Sequence, residues 1–152
     1  MLDVGRIIEE RSMRDRLGVF EDRTDAGRRL AAILSSLELA AEPVICAIPA
    51  GGVPPGLEVA RALNAPLRMA VVRKVQVPWN PEAGFGAVTW NGRIFLNRPL
   101  MNALALPEAA VDAAIAKART NVQERMAKYS AGRMDPEVGS RTAILIDDGL
   151  AT

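Results

Sequence analysis

The chain has 152 residues, of which 49% are hydrophobic, and this is enough for one domain with a sizeable core. Its 19 basic and 18 acidic residues give a net charge of +1, so no overall attraction to nucleic acid or to an anionic membrane is expected. Histidine is absent and cysteine occurs once, which excludes histidine-based catalytic triads, thiolate zinc sites and an internal disulfide. Carboxylates, lysine, arginine, backbone amides and a phosphate-bound Mg²⁺ remain as the available chemistry.

Residues 1–19 are predicted to form an N-terminal helical extension, with a few apolar residues among many charges. This segment is too charged for a secretory signal, and no apolar run approaches the ~20 residues of a membrane span. Cys46 lies in an apolar run and is expected to be buried. We therefore expect a cytoplasmic protein without a membrane partner.

An amphipathic helix is predicted to begin a few residues after Phe20. Apolar residues recur at helical spacing over residues 30–37, and Thr24 or Asp25 is the expected N-cap. This pattern indicates a helix that packs one face against a core.

A strand over residues 44–48 is followed by a glycine-containing loop and a second helix. The loop contains Ala50, Gly51 and Gly52, and the helix is expected to begin near Pro54 or Pro55, since proline suits the first helical turn. Glycines between a strand and a helix N-terminus let the backbone approach a phosphate closely. Taken alone the glycine pair is a weak signal, because it is equally typical of a simple turn.

A second strand is predicted over residues 67–72, and it ends in two cations, Arg73 and Lys74. Residues 75–84 contain two closely spaced prolines, so they are predicted to be irregular. Within this segment, Trp79 either packs the loop down or contacts a ligand.

The rest of the middle region is predicted from turn and helix signals. Asn91 and Gly92 form the strongest short hairpin signal and lie between strands predicted over residues 85–90 and 93–97. Residues 99–106 are predicted to be a short link, and Pro107 then opens the longest helix.

The last predicted strand, residues 143–146, ends in Asp147, Asp148 and Gly149. Four apolar residues in a row suit a strand buried on both faces, which is typical of parallel sheets in α/β proteins. The order strand, helix, strand, hairpin, helix, strand predicts this α/β class. In a parallel sheet the ligand crevice lies beyond the carboxyl ends of the strands, so the acids, the glycine loop and the two cations are expected at one edge. Alone, an Asp-Asp-Gly corner is equally consistent with a solvated turn.

These features together resemble the type I phosphoribosyltransferases. The apolar strand, the two acids and the small residues that follow are similar to the family's motif for 5-phosphoribosyl-1-pyrophosphate (PRPP), and residues 20–27 resemble one subgroup of broadly unassigned substrate. The resemblance covers about residues 20–152 and implies a phosphoribosyltransferase-like, Rossmann-like three-layer core with a β-hairpin flap. In the family, the motif goes on to another glycine, a hydroxyl residue and the start of a helix, whereas this sequence ends at Thr152. We therefore expect the C-terminal part of the core to be missing.

The resemblance implies transfer of a 5-phosphoribosyl group from PRPP to an unidentified nitrogenous base, with release of pyrophosphate. It implies catalytic roles for Asp147, Asp148 and Lys74. The residues that it implies for PRPP binding are Ala50, Gly51, Gly52, Arg73, Lys74, Asp147, Asp148, Gly149, Ala151 and Thr152. The candidates for contact with the acceptor base are Trp79 and Glu82.

Mg²⁺ is the implied cofactor, bound through PRPP without a direct protein ligand. The subgroup commonly has arginine where this chain has Ala50, so one phosphate partner is lacking. The expected partners are PRPP and a base, with no nucleic acid and no membrane. An exposed sheet edge or a borrowed partner strand is also expected, and a homo-oligomer is left open.

Three functions are open at this point. The first is a phosphoribosyltransferase, and the second is a non-catalytic regulatory domain of the same fold that binds PRPP or a nucleotide, which Ala50 favours. The third is a structural α/β domain without a ligand. A two-component receiver domain also has adjacent acids after a strand, but there they follow the first strand of the domain, so we set it aside.

Overall fold

A computed structural model describes residues 7–130 and 138–149. The chain divides into two compact units, the first formed by Met1–Arg68 with Pro136–Thr152 and the second by Met69–Asp135. The elements in chain order are α1 (Arg23–Ser35), β1 (Pro43–Ala47), α2 (Val53–Ala62), β2 (Leu67–Met69), β3 (Val72–Val77), β4 (Asn80–Thr89), β5 (Ile94–Leu96), α3 (Arg98–Ala103), α4 (Glu108–Ser130) and β6 (Thr142–Ile146).

The first unit is built on a three-stranded sheet in the order β2-β1-β6. β1 and β6 are parallel, and α2 connects β1 to its other neighbour, β2. α1 packs on α2, and α2 packs on the strands. The buried core of this unit contains Ala31, Ile45, Val59, Ala60 and Ile146. The α/β class predicted from the sequence is confirmed.

β1 and β6 differ in how their side chains are buried. Val44 and Cys46 of β1 are almost fully buried, and burial raises the pKa of the Cys46 thiol, which keeps it protonated and unreactive. In β6, Ile144 and Ile146 pack on the core, whereas Leu145 is 57% exposed. The prediction that β6 is buried on both faces is wrong, because within the described residues β6 is an edge strand and only one of its faces is covered.

α1 begins earlier than predicted. The N-cap is Asp22, whose Oδ1 accepts a hydrogen bond of 2.7 Å from the Asp25 amide, so the expected caps Thr24 and Asp25 lie inside the helix. In the described part of the predicted helical extension, which begins at residue 7, the structure contains a short 3-10 helix, Arg11–Met13. The domain boundaries predicted at residues 19 and 20 stay predictions.

The second unit consists of an antiparallel sheet, in the order β3-β4-β5, covered by α4. Its core is apolar and includes one large aromatic side chain. The buried members are Val71, Val75, Val77, Phe85, Val88, Val111, Ala118 and Val122. The long helix that opens after Pro107 is confirmed.

Two predictions for residues 67–84 are wrong. The strand expected over residues 67–72 ends at Met69, and Arg73 and Lys74 lie inside β3, where they pair with β4. The segment 75–84 is a hairpin and not an irregular loop. Its prolines fit because Pro78 lies in the turn and Pro81 lies where the register shifts, so neither has to donate a ladder hydrogen bond.

The hairpin predicted at Asn91 and Gly92 is confirmed, with Val88 opposite Ile94 and a positive φ of 78° at Gly92. The link expected over residues 99–106 instead contains α3, whose N-cap Asn97 accepts from the Leu100 amide at 3.1 Å. In the part of the chain that the structure describes, no helix is long and apolar enough to cross a membrane.

Candidate functional site

The carboxyl ends of β1 and β6 lie side by side in the first unit. Ala47 is opposite Ile146, and the Ile48 amide donates a hydrogen bond of 2.8 Å to the Ile146 carbonyl. The loop after β1 therefore leaves the sheet at the same edge as Asp147 and Asp148. The structure brings the acids and the glycine loop together at this edge, as expected from the sequence.

The glycine loop packs so closely on the acidic corner that a side chain does not fit. A Cβ atom at Gly51 would lie 2.1 Å from Oδ2 of Asp148, and one at Gly52 would lie 2.3 Å from the Ile146 carbonyl oxygen. Real Cβ atoms essentially never come closer than 3.0 Å to such neighbours. The Gly52 amide donates to the Ile48 carbonyl at 2.9 Å, so it is already occupied and the Gly51 amide is the better candidate for an anion.

Arg23 is a site residue that sequence reasoning missed. It is the first residue of α1, and its Nε and Nη2 lie 2.8 and 2.7 Å from Oδ2 of Asp148. The Arg23 side chain is 60% exposed, so the ion pair contributes only about 0–1 kcal/mol to stability, and its main effect is to orient the carboxylate. The sequence signal that could have identified Arg23 is the Asp22-Arg23 pair, which is one of the features by which residues 20–27 resemble the subgroup.

The ion pair changes the acidity of Asp148. The hydrogen bond from Arg23 is the largest cause that lowers the pKa of the Asp148 carboxyl, and the Arg23 charge and the hydrogen bonds at Asp147 and the Asp148 amide act in the same direction. Burial opposes the shift. A carboxylate with a lowered pKa in the fold adds stability above its unfolded pKa, and this stability is lost as the pH falls through the folded pKa.

We predict that Arg23→Gln raises the pKa of Asp148 towards the ordinary aspartate value of about 3.9, because the charged donor is lost. The measurement is an NMR titration of the side-chain carboxyl carbon through the acid range. Arg28→Gln is the matched control, since Arg28 lies on the same helix and pairs with Glu58 at 3.6 Å. Identical Asp148 titrations in the wild type and in Arg23→Gln would show that the pair does not form in solution.

A cavity of about 510 Å³ lies beside the acidic corner, within the first unit. This volume is within the usual range for small-molecule sites. One part of its wall is acidic and another is apolar. The lining residues are Phe20, Asp22, Arg23, Ala26, Leu30, Pro55, Asp147 and Asp148.

The expectation that Arg73 and Lys74 stand at the carboxyl end of a strand in the same sheet as the acids is wrong, because both residues lie inside β3 of the antiparallel sheet. Burial is the main cause that lowers the pKa of the Arg73 guanidinium, and the charge of Arg125 on α4 adds to it. The Lys74 ammonium donates to the backbone carbonyl of Glu82. The role of both residues in binding PRPP stays a prediction.

Trp79 and Glu82 lie in the hairpin formed by β3 and β4. Trp79 is in the turn and is 63% exposed, so the alternative that it packs the loop down is wrong. Glu82 is exposed as well, and its carbonyl accepts the hydrogen bond from Lys74. Contact of either residue with an acceptor stays a prediction.

The remaining predicted site residues are exposed or lie outside the described part. Ala50 and Gly149 are exposed, and the predicted phosphate contacts Ala151 and Thr152 lie outside the described residues. Over residues 7–130 and 138–149, no group of three or more acidic, cysteine or histidine side chains could hold a metal ion.

Comparison with known proteins gives similar sequences and a similar solved structure. No protein-family model matches the sequence. Proteins from two strains of Mycobacterium tuberculosis, each named "Putative phosphoribosyl transferase", are 42% identical over 134 residues, which is 88% of this chain. The chain spans 30% of the length of these relatives.

A solved structure also matches. The protein TT1426 from Thermus thermophilus superposes with a TM-score of 0.72 at 34% identity, over 84% of this chain and 60% of that one. The resemblance to phosphoribosyltransferases stated from the sequence is confirmed by the named relatives, and the fold of the chain is shared with a solved protein.

Proposed function

We propose that this chain, whose curated relatives are named as phosphoribosyl transferases, transfers the 5-phosphoribosyl group of PRPP to a nitrogenous base. A ring nitrogen of the base forms a bond to C1 of the ribose while the bond from C1 to the pyrophosphate oxygen breaks. Pyrophosphate leaves with the bonding electron pair, and the base loses its ring proton to solvent. Positive charge builds on the ribose and negative charge on the leaving group, so the site must stabilise both.

One observation carries the proposal: the Asp148 carboxylate lies against Gly51 at the joint carboxyl edge of β1 and β6. This arrangement supports a site in which Asp147 and Asp148 accept hydrogen bonds from the ribose hydroxyls and favour a cationic ring. The Gly51 amide would hold an oxygen of the leaving pyrophosphate. Asp148 is suited to its role because the ion pair with Arg23 orients its carboxylate.

Mg²⁺ belongs to the proposal as a substrate-bound ion. It prefers oxygen ligands, keeps several waters and is usually bound through substrate phosphates, so the phosphate oxygens of PRPP would hold it without a direct protein ligand. When bound, it would neutralise charge on the pyrophosphate. The chain itself supplies the carboxylates and the glycine loop that orient the sugar.

The test is pyrophosphate release from PRPP and Mg²⁺ with a panel of purine, pyrimidine and pyridine bases. We expect release that depends on both PRPP and one class of base, and a reaction without base measures simple hydrolysis. Asp112→Asn is the matched control, because Asp112 is an exposed acid on α4 in the second unit, and this variant should keep full release. Absence of release over the whole panel would contradict the proposal.

A second candidate is a regulatory domain that binds PRPP or a nucleotide without turnover. The observation that favours it is Ala50, which provides no charged partner for the pyrophosphate in the loop. Calorimetry separates the two functions. Heat of PRPP binding without pyrophosphate release under the same conditions would support the regulatory domain, and release would exclude it.

A further inference from the structure

We infer that the cavity in the first unit receives the acceptor, and that the acceptor is a neutral or cationic base with N–H donors rather than a base that carries a carboxylate. The inference rests on the proposed function, because it assigns the acceptor class of the same site. It moves acceptor recognition to Phe20, Asp22 and Leu30 in place of the sequence-based candidates Trp79 and Glu82, which belong to the second unit.

The apolar part of the wall suits a flat ring. Phe20, Ala26, Leu30 and Pro55 line it, and Phe20 is 41% exposed, so its ring has surface that a ligand could cover. The guanidinium carbon of Arg29 lies 5.8 Å from the centroid of the Phe20 ring, and this contact helps to hold the ring in place. An aromatic heterocycle would bury apolar surface there and stack on a ring that is already ordered.

The acidic part of the wall offers hydrogen-bond acceptors. Asp22 uses Oδ1 for the Asp25 amide at 2.7 Å, and Asp147 uses Oδ1 for the Asp148 amide at 2.9 Å. Asp148 uses Oδ2 for Arg23. Each carboxylate is therefore anchored through one oxygen, and each has a second oxygen that can accept from a ligand.

The charges of the wall decide between classes of base. Among the described residues of the lining, three carboxylates lie with one cation, Arg23, and that guanidinium is already paired with Asp148. An ionised carboxylate on the base would meet negative charge, with no free cation among the lining residues that the structure describes, whereas amino and ring N–H groups would find acceptors. Sites built from hydrogen-bonding groups discriminate strongly against ligands that leave those groups unpaired.

The experiment measures the affinity of the full chain for free bases at neutral pH by saturation-transfer NMR titration. Nicotinamide and nicotinate are the matched pair, because they have nearly the same shape and differ in charge, and adenine and orotate extend the comparison. We expect nicotinamide and adenine to bind at least about tenfold tighter than nicotinate and orotate. Equal or tighter binding of the two carboxylates, or no binding of any base, would overturn the inference.

Asp22→Asn tests the carboxylate that belongs to the cavity but not to the proposed ribose contacts. Asparagine is as good an N-cap as aspartate, so α1 should keep its start while the charge is lost. We expect the preference for nicotinamide over nicotinate to fall at least threefold, and Asp112→Asn to leave it unchanged. An unchanged preference in a folded Asp22→Asn variant contradicts the inference.

A separate titration with PRPP and Mg²⁺ distinguishes failure of the inference from failure of the proposed function. If PRPP binds and the carboxylate-bearing bases are preferred, only the acceptor class is wrong. If the amino-bearing bases are preferred and PRPP does not bind, the proposed function fails and the cavity stands as a site for such bases.

Discussion

Gly52→Ala is expected to lower the free energy of unfolding by about 3 kcal/mol, because the new methyl group has only backbone to displace. Its Cβ would lie 2.3 Å from the Ile146 carbonyl oxygen and 2.8 Å from the Ile48 carbonyl oxygen. Both carbonyls already accept hydrogen bonds, from Ile48 and Gly52 respectively, at the joint end of β1 and β6. Relief of the clash therefore requires the strand ends to separate.

Urea denaturation measures this loss, and two other glycines serve as comparisons. Gly51→Ala would meet the carboxylate of Asp148, which is the end of a side chain and can move, so we expect a smaller loss of stability but a displaced acid. Gly149→Ala has no atom within 4 Å of the new methyl group and should keep the stability of the wild type. A Gly52→Ala variant as stable as Gly149→Ala would contradict the packing described for the loop.

The double variant Asp147→Asn, Asp148→Asn is expected to weaken PRPP binding about 100-fold. A hydrogen bond from a ribose hydroxyl to an ionised carboxylate contributes roughly 1.5 kcal/mol of net binding free energy, after the bonds to water that it replaces. Loss of two such contributions raises the dissociation constant by about two orders of magnitude. The overall fold should persist, because both residues are exposed and asparagine has nearly the same shape. Calorimetry with PRPP and Mg²⁺ measures the change.

The two single variants separate the loss of one carboxylate charge from the loss of the ion pair between Arg23 and Asp148. Asp147→Asn leaves the pair between Arg23 and Asp148 intact, whereas Asp148→Asn releases the guanidinium. We expect Asp148→Asn to cause the larger loss for this reason, and Asp112→Asn to cause none. PRPP affinity unchanged in the double variant would remove the two acids from the site.

Local signals in the sequence predicted the elements that depend on neighbouring residues. The strand, glycine loop and proline-led start of α2 occur where expected, and so does the turn at Asn91 and Gly92. The edge shared by the acids and the glycine loop was also predictable. The reason is that the carboxyl ends of parallel strands meet at one edge, whatever the length of chain between them.

The errors arose where pairing between distant residues decided the structure. Arg73 and Lys74 looked like a strand end, but pairing with Val88 and Ala87 of β4 places them inside a strand. Pro78 looked like a break in structure, yet it fits a hairpin turn. A proline has no backbone N–H group to donate. The sequence alone does not show whether the fold needs a hydrogen bond from that position.

Local sequence patterns could not predict the burial of β6 or the role of Arg23, because both depend on contacts between residues that are distant in sequence. The alternation of Ile144 and Ile146 with exposed Leu145 depends on which face the helices cover, and an unbroken apolar run hides that alternation. Arg23 meets Asp148 across 125 positions of sequence. Only the folded chain brings the first residue of α1 to the end of β6.

The exposed indole at the turn between β3 and β4 gives the protein a built-in optical probe. The chain has two tryptophans, and Trp79 is 63% exposed, whereas Trp90 packs against the core of the second unit. Their emission should separate, with Trp79 at longer wavelength and open to quenching by iodide. A molecule that covers the hairpin would shield Trp79 from iodide and leave the emission of Trp90 unchanged, so fluorescence can follow that surface apart from unfolding.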